Sequence, residues 1–575
     1  MAIKHVRPEN KFLFNYRSAC PRHAVTFELV TSEDTKRHLF SLNDKVRKAG
    51  NEVTGIMQKR IDQMRRTKDH RRLRRDYAWK TEHMKKLNPA SAEYQALDGK
   101  RKETAKAMSA MQKKFGITHD DVRKLMQQAE KDYSIPSVIA STRGDDIWNG
   151  IEKVLFAEGK SLHFRKRGDL PVMRAREIGR IIVLKVDDKE ERLVVCMQGF
   201  PAMPAAVPAK DRYLQDEYNA ILDFMENPEQ EMEKAQQYAK TQKAEPVFRP
   251  AYCSIRCVEI RGKLRCYVQI MVCADPMRKV DRFGRRRHVP GKGRVGCDIG
   301  TQSAAVVSRG AVELVNLGER VSGSCVKNLA RKKFLLRKLD ASRRVNNPDR
   351  FRPDGTYRTG THGAWILSRQ YRRYRAELHE ITRKESLTRL YANRELANHL
   401  RSLGDELITE PSNTAALARR SGRPTERTDR TVTVQKKDGT QQTVNKCKRK
   451  KRFGASVARR SPAAFQRELK KKFGSGYHEV PQMTYRASQY DFMLDKYIKK
   501  KLSQRWHILP DQRKVQRDLM SAFLLFCADD PVKSIDRSRC IREFESFWKL
   551  HQNCIRQIRE RHLPVCNSGI RISAV

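Results

Sequence analysis

Three carboxylates stand where a chain otherwise crowded with lysine and arginine turns apolar. Asp298 closes the strand-like run RVGCD inside GRVGCDIGTQSAAVV, residues 293–307. Glu410 closes DELITE, just ahead of Pro-Ser-Asn. Asp518 opens a helical run whose apolar face is Leu519, Phe523, Leu524 and Phe526. Each acid ends or begins an apolar element, and such positions converge at one edge of a sheet. Converging carboxylates repel one another unless a divalent cation neutralises them. Hard oxygen donors select Mg2+ or Mn2+. Two such ions ~3.5–4 Å apart can activate water and stabilise the leaving oxygen of a phosphodiester. Singly, each acid has a plainer reading: a tight turn at Asp298 with Gly300 at positive φ, a solvated strand end at Glu410, and a helix N-cap at Asp518.

The elements that would position these acids follow from hydrophobic periodicity. NKFLFNY and HAVTFELV read as strands within residues 1–32. From Ser32 the period becomes helical, with Leu39, Leu42, Val46, Val53, Ile56, Ile61 and Met64 on one face. Thr118 and Asp121 form a capping pair for a second helix, and DDIWNGIEKVLF fits a third. Period two returns from Leu162 in SLHFRKR, IGRIIVLKV, ERLVVCMQ, AYCSIRCVEI and KLRCYVQIMVC, around a helix-like insertion at 210–242. Past a Gly-rich basic linker, AAVVS and AVELVNL continue the strand that carries Asp298. Two basic helices follow, Val326–Arg344 and about Gly363–Arg401. In the second, Leu367, Tyr371, Tyr374, Leu378 and Ile381 form a seam suited to an antiparallel helix pair. Residues 411–460 lose periodicity and read as a mobile basic loop ending in NKCKRKKRF. A helix over Ser461–Phe473, a strand at HEVPQMTY, the helix RKVQRDLMSAFLLFC and a basic helical tail over 530–575 complete the chain.

The composition names a class of partner. The 575 residues hold 120 Lys and Arg against 67 Asp and Glu, a formal charge of +53. Solubility in a small domain needs only about 2–8 charges. An excess this large, spread along the chain, implies an extended nucleic-acid surface rather than one amphipathic membrane helix. The N-terminus, MAIKHVRPENKFLF, lacks an apolar signal core. The run Met520–Ala528 is too short to span a bilayer. The 13 cysteines include no CxxC pair, and Cys253 and Cys257 on a strand lie ~13 Å apart. Reduced thiols in a cytoplasmic, nucleoid-associated protein are expected.

GCDIGTQSAAVVS, DELITEPSN and QRDLMSAFLL, in that order and separated by basic helices, resemble the three segments of a RuvC nuclease domain. The chain is similar there to the transposon-encoded TnpB proteins and the type V CRISPR effectors, over roughly 290–530. The resemblance implies an α/β multidomain fold: a ribonuclease-H-like RuvC domain plus a β-barrel wedge domain with an inserted helical recognition domain. The wedge would occupy 1–32 and 161–285, and the recognition domain 33–160. RuvC would fill 286–410 with its basic helix pair, 411–484 with a basic loop, and a third segment at 513–535. A degenerate zinc-finger-like lid would take 485–512 and a basic tail 536–575.

The implied activity is RNA-guided cleavage of target DNA, with Asp298, Glu410 and Asp518 holding two Mg2+ or Mn2+ ions. A guide RNA would read sequence by pairing, while the protein reads a short flanking motif and the heteroduplex shape. Whether the guide is a transposon or CRISPR RNA, and whether the protein is a monomer or dimer, stays open. Phosphate contacts are expected from Arg71, Arg72, Arg74, Arg75, Arg331, Lys332, Lys333, Arg337, Arg372, Arg373, Arg375, Lys448, Arg449, Lys450 and Arg513. The seam assigns Tyr371 and Tyr374 to packing. One departure stands out: no cysteine occurs between Cys447 and Cys527, where the family carries a four-cysteine zinc finger. No structural zinc is expected, and a lid held by Phe492, Leu494, Tyr497, Leu502 and Trp506 takes its place. A nuclease-silent RNA-guided binding protein is the first rival. An actin/hexokinase-type ATPase is a remote one, because D-I-G-T also suits that phosphate loop, but a second D-x-G-x-T is absent.

Overall fold

The computed structural model describes residues 22–572 except 85–86, 88–90, 157–158, 160, 167, 176–180, 188–189, 227–232, 234–248, 275, 354, 359, 361–362, 412–426, 436–439, 448–453, 482–484, 502 and 563–564. NKFLFNY and the tract Lys448–Arg449–Lys450 therefore lie outside the described residues. The protein is mixed α/β and divides into two compact units, Met1–Val280 and Asp281–Val575.

The first unit is built on a curled antiparallel sheet of seven strands. These are β1 (Arg22–Leu29), β2 (Met173–Arg174), β3 (Ile182–Asp187), β4 (Arg192–Met197), β5 (Met203–Ala206), β6 (Arg249–Ile260) and β7 (Lys263–Cys273), in the order β2-β6-β7-β1-β5-β4-β3. Strands β6 and β7 are joined at Arg261-Gly262, both at positive φ (53° and 75°), the geometry of a tight two-residue hairpin. Five helices fill the span after β1: α1 (Glu33–Arg66), α2 (Lys68–Met84), α3 (Ala92–Lys114), α4 (His119–Tyr133) and α5 (Ser137–Phe156). Helix α1 starts at Ser32, whose hydroxyl accepts from the Thr35 amide at 3.1 Å, a cap worth ~1 kcal/mol. Its buried stripe is Leu39, Val46, Val53, Met57, Ile61 and Met64, at helical spacing, while Leu42 and Ile56 of the expected face are half-buried. Thr118 and Asp121 close a capping box on α4. Within the insertion after β5, α6 covers Arg212–Glu226.

One expected strand is not a strand. Residues 161–166 of SLHFRKR lie beside α1 without joining a ladder, and Arg167 lies outside the described residues. Asn51 accepts from the Arg165 amide at 2.9 Å and donates to its carbonyl at 2.8 Å, and the Gln58 amide oxygen accepts from the Leu162 N–H at 2.7 Å. Helix side chains satisfy the backbone that a sheet would otherwise have to pair.

The second unit centres on a five-stranded sheet: β8 (Arg294–Ile299), β9 (Ser303–Ser308), β10 (Val312–Asn316), β11 (Glu406–Thr409) and β14 (Tyr477–Glu479), in the order β10-β9-β8-β11-β14. Strands β10, β9 and β8 are antiparallel, and β8, β11 and β14 are parallel. The long crossover between β8–β10 and β11 is the pair α7 (Glu319–Asn346) and α8 (Arg369–Leu403). Tyr371 is buried in their seam and Tyr374 meets Phe334 edge-on at 6.2 Å. Glu385, also buried, takes the Lys332 ammonium at 2.8 Å.

The span expected to be an irregular basic loop contains a hairpin, β12 (Arg427–Gln435) and β13 (Gln441–Cys447), followed by α9 (Gly454–Arg460). Its register pairs Thr431 with Asn445 through Gln435 with Gln441, and strong local charge masks the strand signal in the sequence. α10 covers Pro462–Phe473. The lid region holds β15 (Tyr490–Asp491) paired with β16 (Lys496–Tyr497), and β17 (Trp506–Ile508) paired with β18 (Lys514–Gln516). KVQ is thus strand β18, not the start of the next helix. The lid is held only in part as expected, by Phe492, which is buried, and Trp506, which is half-buried. Leu494 and Tyr497 are exposed and Leu502 lies outside the described residues, whereas Tyr490, Phe492, Leu509 and Val515 are buried. A buried pair adds to them, Asp491 Oδ2 to His507 Nε2 at 3.1 Å. The chain closes with α11 (Arg517–Phe526) and α12 (Arg537–Glu560).

Each face of the five-stranded sheet has its own core. Val295, Cys297, Val306 and Leu407 pack with Ala397, Leu400, Phe465 and Leu469 of α8 and α10. Ala305, Val307 and Ile408 pack on the opposite face with Leu519, Phe523 and Phe526 of α11 and with α12. Helix α11 comes unusually close to β8 at Gly296. A Cβ there would fall inside 3.0 Å of the Ala522 carbonyl oxygen and the Phe526 amide nitrogen. Glycine is required because backbone meets backbone.

Candidate active site

Register places two of the acids side by side. Cys297 of β8 pairs with Thr409 of the parallel strand β11. The next residues along the two strands are Asp298 and Glu410. By strand alternation, Asp298 shares the face of Gly296, and Glu410 that of Ile408. Both therefore look toward the core formed by α11. Asp518 lies in the first turn of that helix. The mixed sheet and the helix packed on it thus bring all three sequence-selected acids to one end of one face.

Electrostatics registers the meeting. The Asp298 carboxyl is held well above the usual carboxylate range, first by burial and then by the charges of Glu410 and Asp518, with Arg517 opposing. Glu410 is raised by burial, offset in part by the Ala487 backbone N–H that donates to it. Asp518 is tied down on both oxygens. Gln516 Nε2 donates to Oδ2 at 3.2 Å, and the Arg517 guanidinium reaches Oδ1 at 3.4 Å. Gln516 is fully buried. Its side-chain oxygen accepts from the Leu519 N–H at 2.8 Å, and its amide also donates to the Ser568 carbonyl at 3.2 Å. Among the described residues no three His, Cys, Asp or Glu side chains stand at ligand spacing around one point.

The plainer readings fare differently. Gly300 does not adopt positive φ; its N–H closes the β8–β9 turn on the Ser303 carbonyl at 2.9 Å. The N-cap of α11 is Gln516, not Asp518. Neither a left-handed turn nor a cap accounts for these acids. Sequence reasoning misses Gln516, Arg517 and the Ala487 amide. The signal for the first two is their place immediately before an acid at a helix start.

The basic residues separate into two groups. Arg71, Arg72, Arg74 and Arg75 are exposed on α2, as are Lys333 and Arg337 on α7 and Arg372 and Arg373 on α8, while Arg375 is half-buried. Arg331 is bidentate to Glu377 at 2.6 and 2.8 Å, and Lys332 is committed to Glu385. Arg513 pairs with Asp511 and Glu545, both at 2.6 Å, and lies 4.4 Å over the Phe544 ring. These last three are engaged within the protein.

Compared with known proteins, the chain matches no family model and no curated protein. Among the described residues no helix is long and apolar enough to cross a membrane.

Proposed function

We propose that the protein is an RNA-guided DNA endonuclease whose RuvC-type site is formed by Asp298, Glu410 and Asp518. The observation that carries this reading is the convergence of the three acids on one face, where burial and then the charges of the other two raise the Asp298 carboxyl. The strand order, counted along the chain as 3-2-1-4-5, supports the ribonuclease-H-like core that the sequence resemblance implies. The formal charge of +53 supports RNA and DNA as partners.

The donor set suits a hard divalent cation: all oxygens, mutually repulsive, with Arg517 as the cation acting on Asp298. Two Mg2+ or Mn2+ ions held by the three acids would, when bound, supply an activated water and a stabilised leaving oxygen. Strand β8 fixes the Asp298 backbone, and the Ala487 N–H orients Glu410. Gln516 and Arg517 hold the Asp518 carboxylate until a stronger positive charge competes for it.

The test uses the RNA that co-purifies with the full-length protein and a DNA matching it. With Mg2+ the wild type cuts. Asp298→Ala lowers cutting by at least ~10³-fold, in line with the weight such charge-stabilising groups carry, while RNA retention is unchanged. Wild-type protein that protects the matched DNA without nicking it would sink the nuclease reading and leave a guided binding protein.

A further inference from the structure

The hairpin β17–β18 and helix α12 border an open cavity of about 630 Å3 that the nuclease reading leaves without a role. Its volume is within the range of small-molecule sites. One side is aromatic: Trp506, Trp548 and His551 border it. Trp548 stacks on His551 at 5.4 Å and 12°, which braces that wall. Trp506 meets His551 only edge-on, at 6.4 Å and 87°, and its indole N–H is anchored on the Gly569 carbonyl at 3.1 Å. Among the described residues Trp506 has no parallel ring partner, which leaves indole surface for a planar ligand.

The other side is cationic. Lys514, Arg559 and Arg571 border the cavity, are exposed, and make no ion pair among the described residues. The acid Asp511 on the rim is spent on Arg513. His551 is fully buried and backs the aromatic wall. The Gln516 backbone N–H donates to its Nε2 at 3.1 Å, so the proton sits on Nδ1. Burial lowers the imidazole pKa to about 4, so the ring is neutral. That Nδ1–H is buried and, among the described residues, has no partner.

An indole surface beside three uncommitted cations matches a planar ring that carries an anion. We propose that this cavity binds a nucleotide, its base against Trp506 and its phosphate among Lys514, Arg559 and Arg571. The same chemistry is presented by a free mononucleotide and by a base turned out of a single strand. The inference stands apart from the nuclease reading, since binding needs none of the three acids. It also has a route to them, because Gln516 touches His551 through its backbone and Asp518 through its side chain.

The test titrates full-length protein, freed of nucleic acid at high salt, with adenosine 5′-monophosphate, adenosine and inorganic phosphate by calorimetry. Saturable binding of the monophosphate is expected, at least about tenfold tighter than either part alone. Trp506→Leu keeps apolar bulk and removes the stacking surface. The double variant Arg559→Ala/Arg571→Ala changes only exposed side chains. Each should weaken binding about tenfold or more. A single-stranded oligonucleotide that displaces the monophosphate, or that binds instead of it with the same sensitivity to the variants, identifies the strand as the source. Failure to displace identifies the free nucleotide. Absence of saturable binding by both probes, or binding that neither variant weakens, overturns the proposal.

Discussion

At the scale of single residues, the Asp298 carboxyl trades stability for charge. Its acid strength is weakened in the fold relative to the unfolded chain, so the native state prefers the protonated form. No penalty exists below the unfolded pKa of about 3.9. The penalty grows as pH rises through the folded value and is complete above it. Asp298→Asn keeps the shape and removes the charge. In EDTA at pH 8 that variant is expected to melt a few degrees higher than wild type, because about 1 kcal/mol moves the Tm of a domain of this size by roughly 2–4 °C. The gain should shrink toward pH 4. Thermal scans across pH check it, and a lower Tm for the variant at pH 8 would show that burial and the neighbouring charges do not disfavour the ionised carboxyl. Such a gain, coupled to lost cutting, is the usual signature of a site kept at the expense of stability.

At the scale of elements, the sheet and α11 succeed together. Gly296 lets the helix backbone touch β8, which sets how far Asp518 stands from the strand ends. Gly296→Ala is expected to cost about 3 kcal/mol, since neither the Ala522 carbonyl nor the Phe526 amide can yield as a flexible side chain would. Chemical denaturation followed by circular dichroism measures it, and a change below about 0.5 kcal/mol would contradict the close packing. Much of this level is legible in the sequence. The strand around Asp298, the α1 stripe, the Thr118 capping box and the seam of α8 all obey local periodicity. What stays hidden depends on distant partners. SLHFRKR alternates like a strand, but Asn51 and Gln58, more than a hundred residues earlier, take its backbone. Leu494 and Tyr497 look like core residues, yet the buried Asp491–His507 pair holds the lid together with Phe492. The acids are visible singly; their company is not, because the Cys297–Thr409 pairing is a fact of register.

At the scale of the whole molecule, an excess of 53 positive charges makes affinity for a polyanion a property of ionic strength. If about six to ten phosphates are neutralised, RNA binding should fall about 10³–10⁵-fold between 50 and 200 mM salt. Replacing Arg71, Arg72, Arg74 and Arg75 by alanine should lower the salt slope by about one for each phosphate no longer neutralised, for every RNA sequence alike. Filter binding at several salt concentrations reads this, and an unchanged slope would remove α2 from the interface. The far end of the chain carries a different burden. The Ser568 carbonyl takes a hydrogen from Gln516, Gly569 anchors Trp506, and the Cys566 amide is fastened to Asn316 at 3.0 Å. Those few residues after the last helix are a keystone rather than a loose thread. An engineer altering residues 566–569 would be working two hydrogen bonds away from Asp518.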